Sequence, residues 1–249
     1  MVHNNKEVLA YWNKESVESM YDKNLINSEI ELIRKRITRG SKILDAGCGE
    51  GEGTIVYSAI PGTTVHGADF SETRLLKASK RLRGKKNVIL KQTDFLKQYS
   101  LDNNYDFIVS QRFLINLMEW KLQKKVLVEL MGMLKKGGKL LMLEGSLNGV
   151  NELNTFRKIH SLEPIPVKWH NLFFKDNKLI DFMKSKHFKL LDEDGLGEYF
   201  LLTRGIRPTL DRKLNWNSKF NKIAASNEMK NILNLKSRFS RLKLWVFGK

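Results

Sequence analysis

A chain of 249 residues with 41% apolar and 29% charged residues has a globular balance, which excludes intrinsic disorder. No apolar run approaches eighteen residues, the opening MVHNNKEVLAYW lacks a secretory pattern, and the lone cysteine, Cys48, excludes a disulfide framework or a cysteine zinc cage. The formal net charge is +17, and residues 201–249 hold 12 Lys and Arg against Asp211 and Glu228. Such a field suits nucleic acid, an anionic membrane or an acidic substrate, unless it merely follows a composition rich in Lys, Asn and Ile. A soluble cytoplasmic protein is expected.

Apolar positions recur at helical spacing in EVLAYWNKESVESMY (7–21) and INSEIELIRKRI (26–37), predicting helices ahead of a stop at Gly40. Strands and helices then alternate. SKILDAG (41–47), TTVHGAD (63–69), NVILKQTD (87–94), YDFIVSQ (105–111) and KLLMLEGS (139–146) read as strands. Helices are expected through TIVYSAI (54–60), from Ser71 to near Gly84, and from Trp120 to Lys135. After residue 147 come a short helix, an extended stretch holding two prolines, and a helix capped by Asp176. FKLLDEDG (188–195) and LKLWVFGK (242–249) supply the sixth and seventh strands. The alternation predicts a doubly wound α/β fold, a parallel sheet covered on both faces.

The strongest motif is KILDAGCGEGEG (42–53), a strand running into Gly47, Gly49 and Gly51 before a helix. Glycines serve where the backbone turns sharply and a ligand approaches closely. The dinucleotide pattern G-x-G-x-x-G would put its third glycine at Glu52, where a carboxylate opposes a pyrophosphate. Asp45 and Glu50 add negative charge that suits a cationic ligand. Asp69 ends the second strand and can accept from ribose hydroxyls; Asp94 and Phe95 end the third, and with Phe70 offer an acceptor and a ring to an adenine. One such acid alone reads as a helix cap. Acids at successive strand ends, on the edge where open α/β sheets bind ligands, read as a site.

KILDAGCGEG, VHGADFS, QTDF and YDFIVSQ match in order and spacing the cofactor motifs of class I S-adenosylmethionine-dependent methyltransferases, and LKKGGKLLMLEGS resembles the segment that follows them, with Lys136 in place of a usual proline. The resemblance implies a Rossmann-like, seven-stranded, mostly parallel sheet with an antiparallel last strand. The chain reads as one domain over 1–249, with a helical cover (1–39), an insertion (148–187) and a basic insertion (200–240) before the last strand; the resemblance marks 40–147 as the cofactor-binding core and 148–187 as the acceptor-site insertion. By the same resemblance Gly47, Cys48 and Gly49 pass the methionine end of S-adenosylmethionine above Asp45. Asp69 holds the ribose, Asp94 and Phe95 the adenine, and Gln111 lies near the sulfonium. The wider pattern, with RFLINLMEW and VKWHNLFF, is similar to small methyltransferases of bacterial surface-polysaccharide and natural-product pathways.

Chemistry narrows the acceptor. Methylation at pyrimidine carbon 5 needs a cysteine nucleophile, and Cys48 lies in the cofactor turn. The segment Ser110-Gln111-Arg112-Phe113 lacks the prolines of enzymes that act on exocyclic amines, and Arg112 and Asn116 stand where catechol-type enzymes carry metal-binding acids. What remains is direct transfer to an oxygen or nitrogen, without a metal; the resemblance to polysaccharide and natural-product enzymes, with Arg112, implies a small acceptor, anionic or sugar-like. His170, in the insertion after the fifth strand, is the candidate general base, against a structural histidine bonded to a loop carbonyl; Glu144 is a second. Arg112 is the candidate clamp for an acceptor anion, against a local salt bridge to an acid such as Asp106. Trp12 and Tyr21 could close over the cofactor. The alternatives are an RNA methyltransferase gripping with its basic C-terminal region, which lacks a recognisable RNA-binding module, and a catalytically silent cofactor-binding subunit.

Overall fold

The computed structural model describes residues 5–17, 21–211, 213 and 215–249. Helices α1 (Asn5–Trp12) and α2 (Lys23–Arg34) precede the sheet. The pattern over 7–21 predicts a longer first helix, but α1 stops at Trp12, and residues 18–20 of that stretch lie outside the described residues. The cause is distant in sequence: Arg74 donates to the carbonyls of Trp12 (3.1 Å) and Val17 (3.2 Å), giving the chain here a partner other than a further helical turn. Asp22 caps α2 by accepting the Leu25 N–H, and α2 buries Leu25, Glu29, Ile30, Leu32 and Ile33.

The alternating core follows: β1 (Lys42–Ala46), α3 (Glu52–Tyr57), β2 (Thr64–Asp69), α4 (Glu72–Arg81), β3 (Val88–Gln92), β4 (Tyr105–Gln111), a 3₁₀ turn (Leu114–Asn116), α5 (Trp120–Gly132) and β5 (Leu134–Gly145). Next come α6 (Leu147–Ile159), α7 (Asp176–Ser185) and β6 (Lys189–Gly195). Then α8 (Gly197–Phe200), a π-helical segment (Leu201–Ile206), α9 (Arg207–Leu210), α10 (Lys219–Ala224) and α11 (Asn227–Leu233) lead to β7 (Leu242–Gly248). The strands form one seven-stranded sheet in the order β3-β2-β1-β4-β5-β7-β6, with β7 antiparallel to both its neighbours. This is the Rossmann-like sheet with an antiparallel last strand.

The central strands β4, β5 and β7 carry buried apolar runs because both their faces are covered, whereas the edge strands β3 and β6 are more polar and exposed. Leu44, Ile108, Met142 and Trp245 point to one core with Leu127 and Leu130 of α5. Their strand neighbours Ile43, Val109, Leu141 and Leu244 point to the other, with Ile33 of α2 and Tyr57 of α3. Each such fully buried side chain contributes roughly 1.5–3 kcal/mol. Strand β5 begins at Leu134, ahead of the expected 139, because Leu134 already pairs with Tyr105 before a register shift. Part of the basic excess is internal: Arg204 pairs with Asp22 (2.6 Å), Lys230 with Asp194 (3.2 Å) and Lys243 with Asp176 (2.9 Å). Among the described residues no helix is long and apolar enough to cross a membrane.

Candidate active site

The C-terminal ends of β1 and β2 carry the first part of the site. Asp45 is buried and accepts a hydrogen bond from the Thr54 hydroxyl of α3 (2.6 Å). Burial raises its carboxyl to about 7, against the effect of the Thr54 bond, with Asp69 and Glu52 adding to the rise. The turn that follows holds Gly47, Gly49 and Gly51 at φ of 72°, 54° and 80°, the left-handed region that favours glycine. A Cβ on Gly47 would come within 2.5 Å of the Phe113 side chain, whereas one on Gly49 would meet nothing within 4 Å. Gly49 therefore borders open space.

Asp69 ties this turn to β2. Its two carboxylate oxygens accept the N–H groups of Gly49 and Ser71, each at 2.9 Å. Burial pushes its pKa up, and those backbone bonds act in the opposite direction. Each oxygen keeps a lone pair for a further donor. Cys48 is buried, and burial with the nearby carboxylates of Asp45 and Asp69 pushes its thiol well up, which makes it inert as a nucleophile. Glu50 is held by Arg74 (3.3 Å) and Lys77 (3.1 Å), and Glu52 by Arg81 (2.7 Å).

Beyond β3, Asp94 accepts the Leu96 N–H (3.0 Å) and faces Lys97 (3.3 Å). Phe95 is buried between Phe113 and Tyr99, with ring centroids 5.4 and 5.3 Å away. Phe113 thus bridges the Phe95 turn and Gly47. Phe70 is half-buried, and its carbonyl accepts from the Gln92 amide (3.1 Å).

At the end of β4 the arrangement departs from expectation. Gln111 and Arg112 both turn onto Glu29 of α2, which is fully buried: Gln111 Nε2 donates at 3.0 Å and Arg112 Nε at 2.9 Å, while Arg112 Nη2 pairs with the other oxygen. The fork expected to clamp an acceptor anion grips an internal carboxylate. The local salt bridge weighed against the clamp is formed, with Glu29 in place of Asp106; Asp106 accepts the Lys42 N–H (2.8 Å) and pairs with Lys135. Glu29 itself is a residue that the sequence reading missed, though a glutamate four residues after Leu25 on the buried stripe was its signal. Glu144 is fully buried and accepts from the Ser110 hydroxyl (2.6 Å) and the N–H groups of Phe113, Leu114 and Ile115 (3.0, 2.9 and 3.2 Å). Burial raises it to about 7 against those bonds. It holds the turn after β4 in place.

His170 is 4% exposed and lies in an aromatic wall. Its ring stacks on Tyr11 (4.7 Å, 21° between planes) and meets the edges of Trp12 (5.3 Å) and Trp169 (5.2 Å). Its Nδ1 is buried with no hydrogen-bond partner among the described residues. Burial, and then the Lys168 charge, lower its pKa to about 4, so the ring is neutral at physiological pH. Asn116 Oδ1 accepts from Trp12 Nε1 (3.2 Å) and Asn171 Nδ2 (3.0 Å), joining α1, the turn after β4 and the insertion. Arg74 contacts both Glu50 and Trp12, whose ring its guanidinium covers at 4.8 Å, so the cover is tied to the glycine turn. Tyr21 is 61% exposed and takes no part in this wall.

The residues fit an adenosine cofactor: Gly49 opens on free space, and Asp69 keeps lone pairs for hydroxyls beside the glycine turn. The sequence pattern of the methyltransferase-domain family matches residues 43–138, from β1 to the start of β5. The chain is an S-adenosylmethionine-dependent methyltransferase. Demethylmenaquinone methyltransferase of Staphylococcus carnosus is 28% identical to it over 199 residues, 76% of this chain and 81% of that protein. In fold, the methyltransferase is similar to the cyclase SpnF (TM-score 0.62, 15% identical, 94% of this chain and 85% of that one). It is also similar to PKMT2 of Rickettsia typhi in complex with AdoHcy (TM-score 0.55, 16% identical, 90% and 53%). The family match covers 96 of the 249 residues. His170 and the α1 cover lie outside it.

Proposed function

We propose that the enzyme methylates an oxygen or nitrogen of a small, anionic or sugar-like acceptor in the cytoplasm, between the ends of β4 and β5, the insertion 148–187 and α1. The observation that carries this reading is the unpartnered Nδ1 of a buried, neutral His170. Bound S-adenosylmethionine supplies an electrophilic methyl group. The chain holds it through the glycine turn and Asp69, with Asp94, Phe95 and Phe70 proposed at the adenine end. Tyr11, Trp12 and Trp169 exclude water around His170. Its Nδ1 takes the proton of an acceptor hydroxyl, a role contributing roughly 10²–10⁴-fold, beside the larger gain from alignment.

A second reading has a specific support. The relative from Staphylococcus carnosus is named for demethylmenaquinone, and the wall of Tyr11, Trp12 and Trp169 also suits a planar ring. Release of S-adenosylhomocysteine, followed across small hydroxy acids, sugars and demethylmenaquinone, separates the two. Turnover with an anionic or sugar hydroxyl, and a product heavier by one methyl group, is the expected result. Turnover with demethylmenaquinone alone would replace the first reading by the second.

A further inference from the structure

Arg241 stands immediately before β7, and its carbonyl accepts the Ser146 N–H (2.9 Å), which fixes it beside the C-terminal end of β5. Its guanidinium lies over the Phe173 ring, 5.8 Å from the centroid. Phe173 in turn fills the space above Gly145, where an added Cβ would lie 2.3 Å from the ring. One donor, Nη2, reaches the Pro166 carbonyl (3.2 Å); Nε is shut from solvent without a partner among the described residues. No carboxylate of the described residues pairs with this guanidinium. Glu29 pairs with Arg112, Asp22 with Arg204, and Asp176 and Glu193 with Lys243, while Glu152 accepts the Phe239 N–H. Burial, and then the charges of Arg112 and Arg204, both cations, lower the Arg241 pKa to about 10.

A half-buried guanidinium with no carboxylate partner, its Nε shut from solvent and other cations near it, is unfavourable until an anion completes it. Folding supplies none. Pro166 and Phe173 belong to the insertion proposed to hold the acceptor, at the sheet edge where open α/β folds bind ligands. We propose that Arg241 is an anion-binding residue of the acceptor site, receiving a carboxylate or phosphate group of the acceptor in its planar fork. This rests on the reading of a small anionic acceptor, and assigns to Arg241 the role that the sequence suggested for Arg112.

Inorganic phosphate and acetate are the probes, titrated against the whole enzyme at constant ionic strength with chloride as control, and read by the thermal unfolding midpoint. Saturable stabilisation beyond chloride is expected in the wild type, weakened at least tenfold in Arg241→Gln and only partly in Arg241→Lys. Whichever probe binds more tightly identifies the anion. If Arg241→Gln does not fold, phenylglyoxal labelling of the wild type with peptide mass spectrometry replaces it, and the probe should protect Arg241. Equal binding in Arg241→Gln, no saturable binding above chloride, or no protection of Arg241 would overturn the assignment. None of these measurements needs methyl transfer. Anion binding at Arg241 in an enzyme that methylates only a neutral acceptor would refute the functional reading while leaving the anion site standing.

Discussion

Replacing Arg112 tests whether it is a strut or a clamp. Arg112→Ala removes the guanidinium from Glu29, a carboxylate with no exposed side-chain surface, and leaves it the Gln111 amide as its remaining side-chain donor among the described residues. Breaking a buried pair from one side costs about 3–5 kcal/mol, and because the Arg112 side chain is 29% exposed, about 2–4 kcal/mol is expected here. Glu29→Leu should be milder, since the freed arginine can turn toward water. The double variant Glu29→Leu/Arg112→Ala should cost at least about 1 kcal/mol less than the sum of the single ones, the signature of a direct pair. Urea unfolding at neutral pH measures all three, with unchanged slopes required for the comparison. If Arg112→Ala keeps the wild-type midpoint and instead raises KM for the acceptor, the strut reasoning is refuted and the clamp restored.

Asp69→Ala should weaken S-adenosylmethionine binding by roughly 2–4 kcal/mol by calorimetry, since it removes an acceptor for hydroxyls and unties the Gly49 N–H. His170→Ala should lower kcat a hundredfold or more with cofactor affinity nearly unchanged. The wild-type rate should stay flat as pH falls through 6.5 and decline only near 4, where the ring protonates; a decline centred at 6.5 contradicts the burial argument. Glu144→Gln should lower stability by about 1–3 kcal/mol, because an amide cannot accept all the N–H groups that Glu144 holds. Glu144 is raised to about 7 in the fold, so its protonated form is favoured there, and its contribution to stability is present below pH 4.5 and lost as pH rises through 7. Thermal unfolding across that window should show a shallower slope in Glu144→Gln.

What could be read in advance depended on the range of the interaction. The strand pattern in KLLMLEGS is local, and so is the glycine turn; Asp69 announces itself by ending a strand close behind. The boundaries that moved did so for remote reasons. Arg74 intercepts the Trp12 carbonyl, 62 residues away at the end of α1, and Tyr105 recruits Leu134 into β5. The acceptor side is assembled from pairs of that kind. Arg112 meets Glu29 across 83 residues, His170 meets Tyr11, and the donor left over at Arg241 is visible only in the packed structure. Residue type suggested an arginine for an anion; only packing says which one is free.

The position of β7 also governs how the protein is born. It sits between β5 and β6 although nearly a hundred residues separate it from β5 in sequence. On the ribosome, β1 to β5 can pair as they emerge, but until residues 242–248 follow, β5 presents a bare edge and β6 has no neighbour. That interval is when a nascent chain is open to strand exchange with another, or to capture by a chaperone. A ribosome stalled before Leu242 should hold a protease-sensitive chain, and release of the last strand should make resistance appear in a single step.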